Sequence, residues 1–368
     1  MKKSALLAVL FLSLAALVPA SAFAEDNHNA YVANNLERTV SVIDTRTDAI
    51  VATISSATFS HPSDMAVSPN GKLLYVRNAN NTFSVVDTET NTVTGTITFG
   101  FPVGAPSEGA GPTIAFNRRG NRAYFANSAG NLVVIDVASS SVLQTIPAPA
   151  GFLPTTVAVS RDNDNVYVGS GNGQGILVVD ADGDAATTTI AAGHTIFDLA
   201  LSPNSERLYA SDESGLVPSS HLPSGVLVIN TDTNRVEATV PLPGSPSNPA
   251  FVTGLAVTPD GRHVYVEDFL LIAGSSTVTV FDTRDNSIDT TINATGLSLT
   301  ALAISHNGRK VFAVNTGRTG SSVAVIDTRT NTIDDSITVG RFADTIAIQP
   351  SHRQHGDDGD DDHGDHDR

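Results

Sequence analysis

HPSDMAVSPNGKLLYVRNANNTFSVVDTETNTVTGTI, residues 61–97, decides the fold. Four short runs within it, DMAV, KLLYV, TFSVV and TVTGTI, are rich in Val, Ile, Thr and Tyr and are separated by Pro, Gly, Asn and Asp. Runs of this kind bounded by turn formers read as β-strands; they are named A, B, C and D. The unit recurs from Pro112, Pro154, Ile196, Val252 and Leu299. Nothing between the units carries the 3.6-residue apolar period of a helix. Four antiparallel strands repeated at roughly 45-residue spacing mark a propeller blade.

The ends set the blade count. Before residue 61 stand B, C and D strands (AYVANN, TVSVIDT, AIVATI) without an A strand, and DTIAIQP at 344–350 is an A strand with no B, C or D strand after it. Each end supplies what the other lacks, and pairing them removes an exposed sheet edge. Six internal units and one shared unit predict an all-β, seven-bladed β-propeller closed by its C-terminal strand. Ala66, Ala115, Ala158, Ala200, Ala256, Ala303 and Ala347 occupy one column of the A strands. Small side chains there suit strands that crowd an axis.

YVAN at 31–34, YVRN at 75–78, YFAN at 124–127 and YVED at 265–268 resemble the Tyr-Val-Thr-Asn strand of the YVTN-repeat propellers. SPNG at 68–71, TPDG at 258–261, and VIDT at 42–45 and 325–328 are similar to that family's other hallmarks. The resemblance covers residues from about 30 to 350. It implies an exported bacterial or archaeal protein, and more distantly propellers with lactonase or dehydrogenase roles. A fold that hosts many functions does not name one.

Lys2 and Lys3, an apolar run from Ala5 to Val18 and Ala22-Phe23-Ala24 before Glu25 read as a secretory signal peptide. The expected organisation is therefore a signal at 1–24, a propeller at 25–350 and a disordered tail at 351–368, with no membrane anchor after processing. The destination is the periplasm or the cell exterior. The chain has no cysteine, which excludes disulfides, thiolate catalysis and C-x-x-C-H haem attachment. Its formal net charge of −17 argues against nucleic-acid binding, which needs a cationic stripe.

Link lengths separate the two rims. A–B and C–D links are tight throughout, as in SPNGK and DTETNT, whereas insertions at 99–111, 211–225, 241–250 and 267–276 all fall in B–C or D–A links. Binding residues concentrate in loops on a rigid scaffold, so the B–C/D–A rim is the expected working face. Its candidate ligand-binding residues are His61 and Asp64 in blade two, and His194 and Asp198 in blade five. Arg341, near Asp344, belongs to blade one. Arg77 and Glu267 replace the small residue of the YVAN strand, and His221 lies in the longest insertion. Two His with carboxylates could hold Zn²⁺ or Cu²⁺, or act as acid and base on a small polar substrate. The sequence contains no nucleophile elbow, P-loop or H-E-x-x-H motif.

Asp44, Asp87, Asp136, Asp180, Asp282, Asp327 and Asn230 close C strands and read as Asx turns. Asp180, Asp182 and Asp184 around Gly183 resemble part of a Ca²⁺ loop, without the Glu of an EF-hand. In the tail, His352, His355, His363 and His366 interleave with Asp, a composition that captures Zn²⁺, Cu²⁺ or Ni²⁺. The leading expectation is a non-catalytic binding or scaffold propeller whose partner is a small polar ligand or another protein. The alternatives are a lactonase-like hydrolase or lyase, metal-assisted or not, and an accessory protein in divalent metal handling.

Overall fold

The computed structural model describes residues 28–101, 111–183, 185–191, 193–213, 224–243, 250–270 and 275–350. All regular structure among them is β. Seven four-stranded antiparallel sheets follow one another along the chain. Blade one joins β28 (Ala343–Ile348) to β1 (Asn29–Asn34), β2 (Thr39–Asp44) and β3 (Ala49–Ser55). The C-terminal strand closes the ring as expected, with Ala30 opposite Ile348 and Tyr31 opposite Ala347.

The other blades keep the order A-B-C-D outward. Blade two runs β4 (Asp64–Val67), β5 (Leu73–Asn78), β6 (Thr82–Asp87) and β7 (Thr92–Thr98). Blades three, four and seven begin with β8 (Ile114–Phe116), β12 (Pro154–Val159) and β24 (Leu299–Ile304). Blade five comprises β16 (Leu199–Leu201), β17 (Arg207–Asp212), β18 (Gly225–Asn230) and β19 (Arg235–Pro241). Blade six comprises β20 (Ala250–Val257), β21 (His263–Leu270), β22 (Ser275–Asp282) and β23 (Ile288–Ala294).

The apolar core is divided into wedges between successive blades. Tyr31, Val40 and Val42 of blade one pack against Met65, Leu74 and Val76 of blade two, and the pattern repeats around the ring. B strands are therefore buried on both faces, while D strands alternate exposed and covered residues because one face meets water. Each C–D pair carries a register shift, as between Val85 and Val86. Such bulges twist an outer edge away from further pairing.

The A–B/C–D rim is occupied by turns that lock their own blade and dock the next. The Asx turns form: Asp44 accepts Arg46 N at 2.8 Å, Asp136 accepts Ser139 N at 2.7 Å and Asn230 accepts Thr233 N at 2.9 Å. Arg122 donates to Ala181 O of the next blade at 2.6 Å, and Arg207 does the same to Thr283 O at 2.5 Å. Lys310 of blade seven reaches Asp48 of blade one at 2.6 Å. This rim holds the ring together.

Candidate functional site

The starts of the A strands bring charge to the channel. Asp64 opens β4; its Oδ1 accepts Met65 N at 2.7 Å, and its Oδ2 accepts the backbone N–H and hydroxyl of Thr113 at 2.7 and 2.5 Å. One carboxyl group thus joins blade two to blade three. Opposite Asp64 in the ladder stands Arg77, which lies 5.1 Å over the Phe125 ring. Burial pushes the Asp64 carboxyl up and the Arg77 guanidinium down. Each opposes the other's shift, and Asp344 adds a second negative charge for Arg77.

Asp198 makes the equivalent joint between blades five and six, accepting Leu199 N at 2.7 Å and Leu255 N at 2.6 Å. Burial raises its pKa to about 7, and the charge of Asp64 adds to the rise. The segment entering blade three runs against this carboxyl. Gly111 N donates to Phe197 O at 2.7 Å, and Pro112 O accepts Val157 N at 2.9 Å. A Cβ on Gly111 would lie 1.9 Å from Asp198 Oδ1, so the approach requires glycine.

Blades five and six concentrate the remaining carboxyl groups. Tyr209-Ala210-Ser211-Asp212 and Tyr265-Val266-Glu267-Asp268 occupy the columns that carry Tyr31-Val32-Ala33-Asn34 in blade one. Asn34 donates across to Thr39 and Ser41 at 3.0 and 2.9 Å. Asp268 reverses the sense and accepts from Thr277 at 2.6 Å and Thr279 at 3.3 Å, and burial raises its pKa to about 6. Asp212 faces His194 at 3.0 Å. Glu213 accepts Val252 N at 2.7 Å through Oε1, while its Oε2 has no partner. Glu267 is 0% exposed, and neither of its oxygens meets a donor in bonding geometry. Burial, then Asp268, Asp198 and Glu213, push Glu267 well above the usual carboxylate range; the nearby Ser276 hydroxyl moderates this only in part.

The sequence-derived candidates divide accordingly. Asp64, Arg77 and Asp198 sit in the buried inner ring, and Glu267 and His194 in the blade five–six corner. His61 adopts a left-handed backbone (φ 49°) and turns to Asn35 and Arg38 of blade one, at 3.2 and 3.5 Å. Arg341 pairs with Glu37 at 3.3 Å. His61 and Arg341 thus meet the β1–β2 link, and His61 and His194 keep separate partners. Asp180 accepts the N–H groups of Asp182 and Gly183, both at 2.9 Å, as an ordinary turn. His221, Asp184, the four tail histidines and the signal segment lie outside the described residues.

Sequence reasoning missed Asp212, Glu213 and Asp268. The signal was available in the aligned YVAN columns, where Asp replaces Asn in both blades. It also missed His263, Asp282 and Asp289, whose ligand atoms lie within 4.8 Å of one another. That group is on the opposite rim, and Arg284 already occupies Asp282.

Hydrazine synthase of Kuenenia stuttgartiensis is similar to this chain at TM-score 0.68 and 20% identity, covering 84% of this chain and 94% of that one. Dihydro-heme d1 dehydrogenase NirN in complex with DHE is similar at TM-score 0.59 and 15% identity, covering 86% and 74%. The fold is a seven-bladed β-propeller. At these identities the likeness carries the fold and nothing finer. No family model matches the chain, and no curated protein matches it.

Proposed function

We propose that this chain is an exported binding propeller of the YVTN-repeat type, whose B–C/D–A rim takes a small polar ligand or a protein partner. The observation that carries this reading is the unpartnered, fully buried Glu267 carboxyl at that rim, beside Glu213 and Asp268. Burying an ionisable group without a partner costs several kcal/mol in model systems, roughly 2–7 for a neutral polar group and more for a charge. A fold that needed only a filler would hold an apolar side chain there. Division of labour between rims supports the same reading, since the opposite rim is occupied by blade-docking contacts from Arg122, Arg207 and Lys310.

The test is a thermal-shift screen of residues 25–368 against neutral, anionic and cationic small polar compounds. A ligand whose effect is lost when 214–223 is shortened, yet kept in Arg284→Ala on the opposite rim, supports the reading. Equal loss in both variants would place binding elsewhere.

A hydrolase or lyase at the same mouth is the second reading. Asp198 at about 7 and Asp268 at about 6 are suited to proton transfer near neutrality. Turnover of a lactone panel that disappears in Asp268→Asn would favour it over simple binding.

A further inference from the structure

We infer that Glu213, Thr253 and Glu267 form a recognition site for an ammonium group at the corner between blades five and six. The inference rests on the binding-propeller reading and names the ligand chemistry. Blade two shows how this scaffold accommodates charge at the same place: Asp64 stands opposite Arg77, so anion and cation share one ladder position. In blade six those positions hold Gly254 and Glu267. Glycine takes the place of the acid, and a carboxyl group stands where blade two has its guanidinium, so no cation is left at this ladder position.

The hydroxyls tell the same story. Thr155, Thr253 and Thr300 occupy the register shift of their A strands in blades four, six and seven. Thr155 donates to Ile196 O at 2.6 Å and Thr300 to Asp344 O at 3.3 Å, each bridging to the next blade. The Thr253 hydroxyl has no partner, nor has that of Ser224, which adjoins the Asp212–Gly225 pair. These atoms are neighbours through the chain. Glu213 holds Val252 N, Thr253 and Gly254 follow, and Gly254 faces Glu267. The charges acting on Glu267 come from Asp268, Asp198 and Glu213, all carboxyl groups. Arg77, the guanidinium of the inner ring, is engaged by Asp64 and Asp344.

Spacing favours an ammonium over a bare metal ion. Ca²⁺ binds oxygens at about 2.3–2.6 Å, so its ligands lie within about 5 Å of one another. Among the described residues His263, Asp282 and Asp289 satisfy such a limit, and Glu213, Glu267 and Asp268 do not. Charge-assisted N–H···O bonds of about 2.7–2.9 Å span a wider set. An ammonium carries three donors, and the free carboxylate oxygens are Glu213 Oε2 and both of Glu267.

The experiment titrates residues 25–368 with methylammonium, tetramethylammonium and Ca²⁺ at constant ionic strength, by calorimetry and by melting temperature. Methylammonium is expected to bind and stabilise, because it has N–H donors; tetramethylammonium, which has none, is expected not to. Glu267→Gln and Glu213→Gln should each weaken methylammonium binding at least tenfold, and Thr253→Val should weaken it less. Glu267→Gln should melt no lower than the parent, which shows that it folds. Absence of methylammonium binding, equal binding of tetramethylammonium, tighter binding of Ca²⁺, or parental affinity in Glu267→Gln would each overturn the site. A neutral or anionic ligand lost with 214–223 would leave the binding-propeller reading standing while this inference fell.

Discussion

Ala347 stands directly opposite Tyr31 in the ladder between β28 and β1. The same small-against-aromatic pair recurs as Ala66–Tyr75, Ala115–Tyr124, Ala158–Tyr167, Ala200–Tyr209, Ala256–Tyr265 and Ala303–Phe312. The ring is fully buried each time, filling the wedge towards the next blade, and alanine leaves room for it near the axis. Blade one builds its pair from the two ends of the chain. Truncation after Gly340 should therefore expose the β1 edge and uncover Tyr31, lowering the melting temperature of the whole ring. Unfolding followed by circular dichroism checks this, and melting that matches the full-length chain would mean that β28 does not hold the ring closed.

The alanine and tyrosine columns were legible because each blade repeats them, so one alignment reveals seven instances of the same packing demand. The partner of an individual polar residue was not. Asp64 and Asp198 stood out by position, but their role depends on Thr113 N and Leu255 N, 49 and 57 residues away on the following blade. His61 and His194 hold similar places ahead of their A strands, yet His61 turns to Asn35 and His194 to Asp212. Distance from a strand does not encode side-chain direction once the backbone enters the left-handed region. Asp in place of Asn at 212 and 268 is hard to single out in a sequence, because the two side chains share nearly the same shape and differ in charge.

The buried pair Asp64–Arg77 invites a double-mutant cycle. Arg77→Met removes the opposing charge, and breaking a buried pair on one side typically costs about 3–5 kcal/mol. Asp64→Asn should also destabilise, although the amide oxygen can still accept from Thr113 N. The double variant should be more stable than the sum of the single losses by roughly 0.5–3 kcal/mol, the range for residues in contact. Urea unfolding of the four proteins supplies the numbers; strict additivity would show that the two charges do not act on each other.

Glu267→Gln should stabilise, and more so as pH rises. Folding raises the Glu267 pKa, so its protonated form is favoured in the folded ring while the unfolded chain ionises near pH 4.5. The folded state consequently binds more protons, and stability falls as pH climbs from the unfolded value towards the folded one. The slope is at most about 1.4 kcal/mol per pH unit for one group. Asp198, at about 7, and Asp268, at about 6, contribute in the same direction and remain in the variant. The melting-temperature gain of Glu267→Gln should be larger at pH 8 than at pH 5. An equal gain at both values would mean that the carboxyl ionises as readily in the ring as in water.

Metal capture separates the tail from the propeller. Four histidines and many aspartates at 352–368 supply imidazole and carboxylate donors. Deleting 351–368 should abolish most Zn²⁺, Ni²⁺ and Cu²⁺ binding while leaving the melting temperature of the ring unchanged, since the seven blades are already complete within the described residues, whose last strand ends at Ile348. Binding by the full chain should weaken below about pH 6.5, where histidine takes up a proton and ceases to be a ligand. Any Zn²⁺ retained after deletion has a defined place to go, the His263, Asp282 and Asp289 group. Arg284 must leave Asp282 for the ion to enter, so binding there should be weak. Adding His263→Ala to the tail-less chain then decides the matter: retained binding that vanishes belongs to the rim, and retained binding that persists would exclude both places.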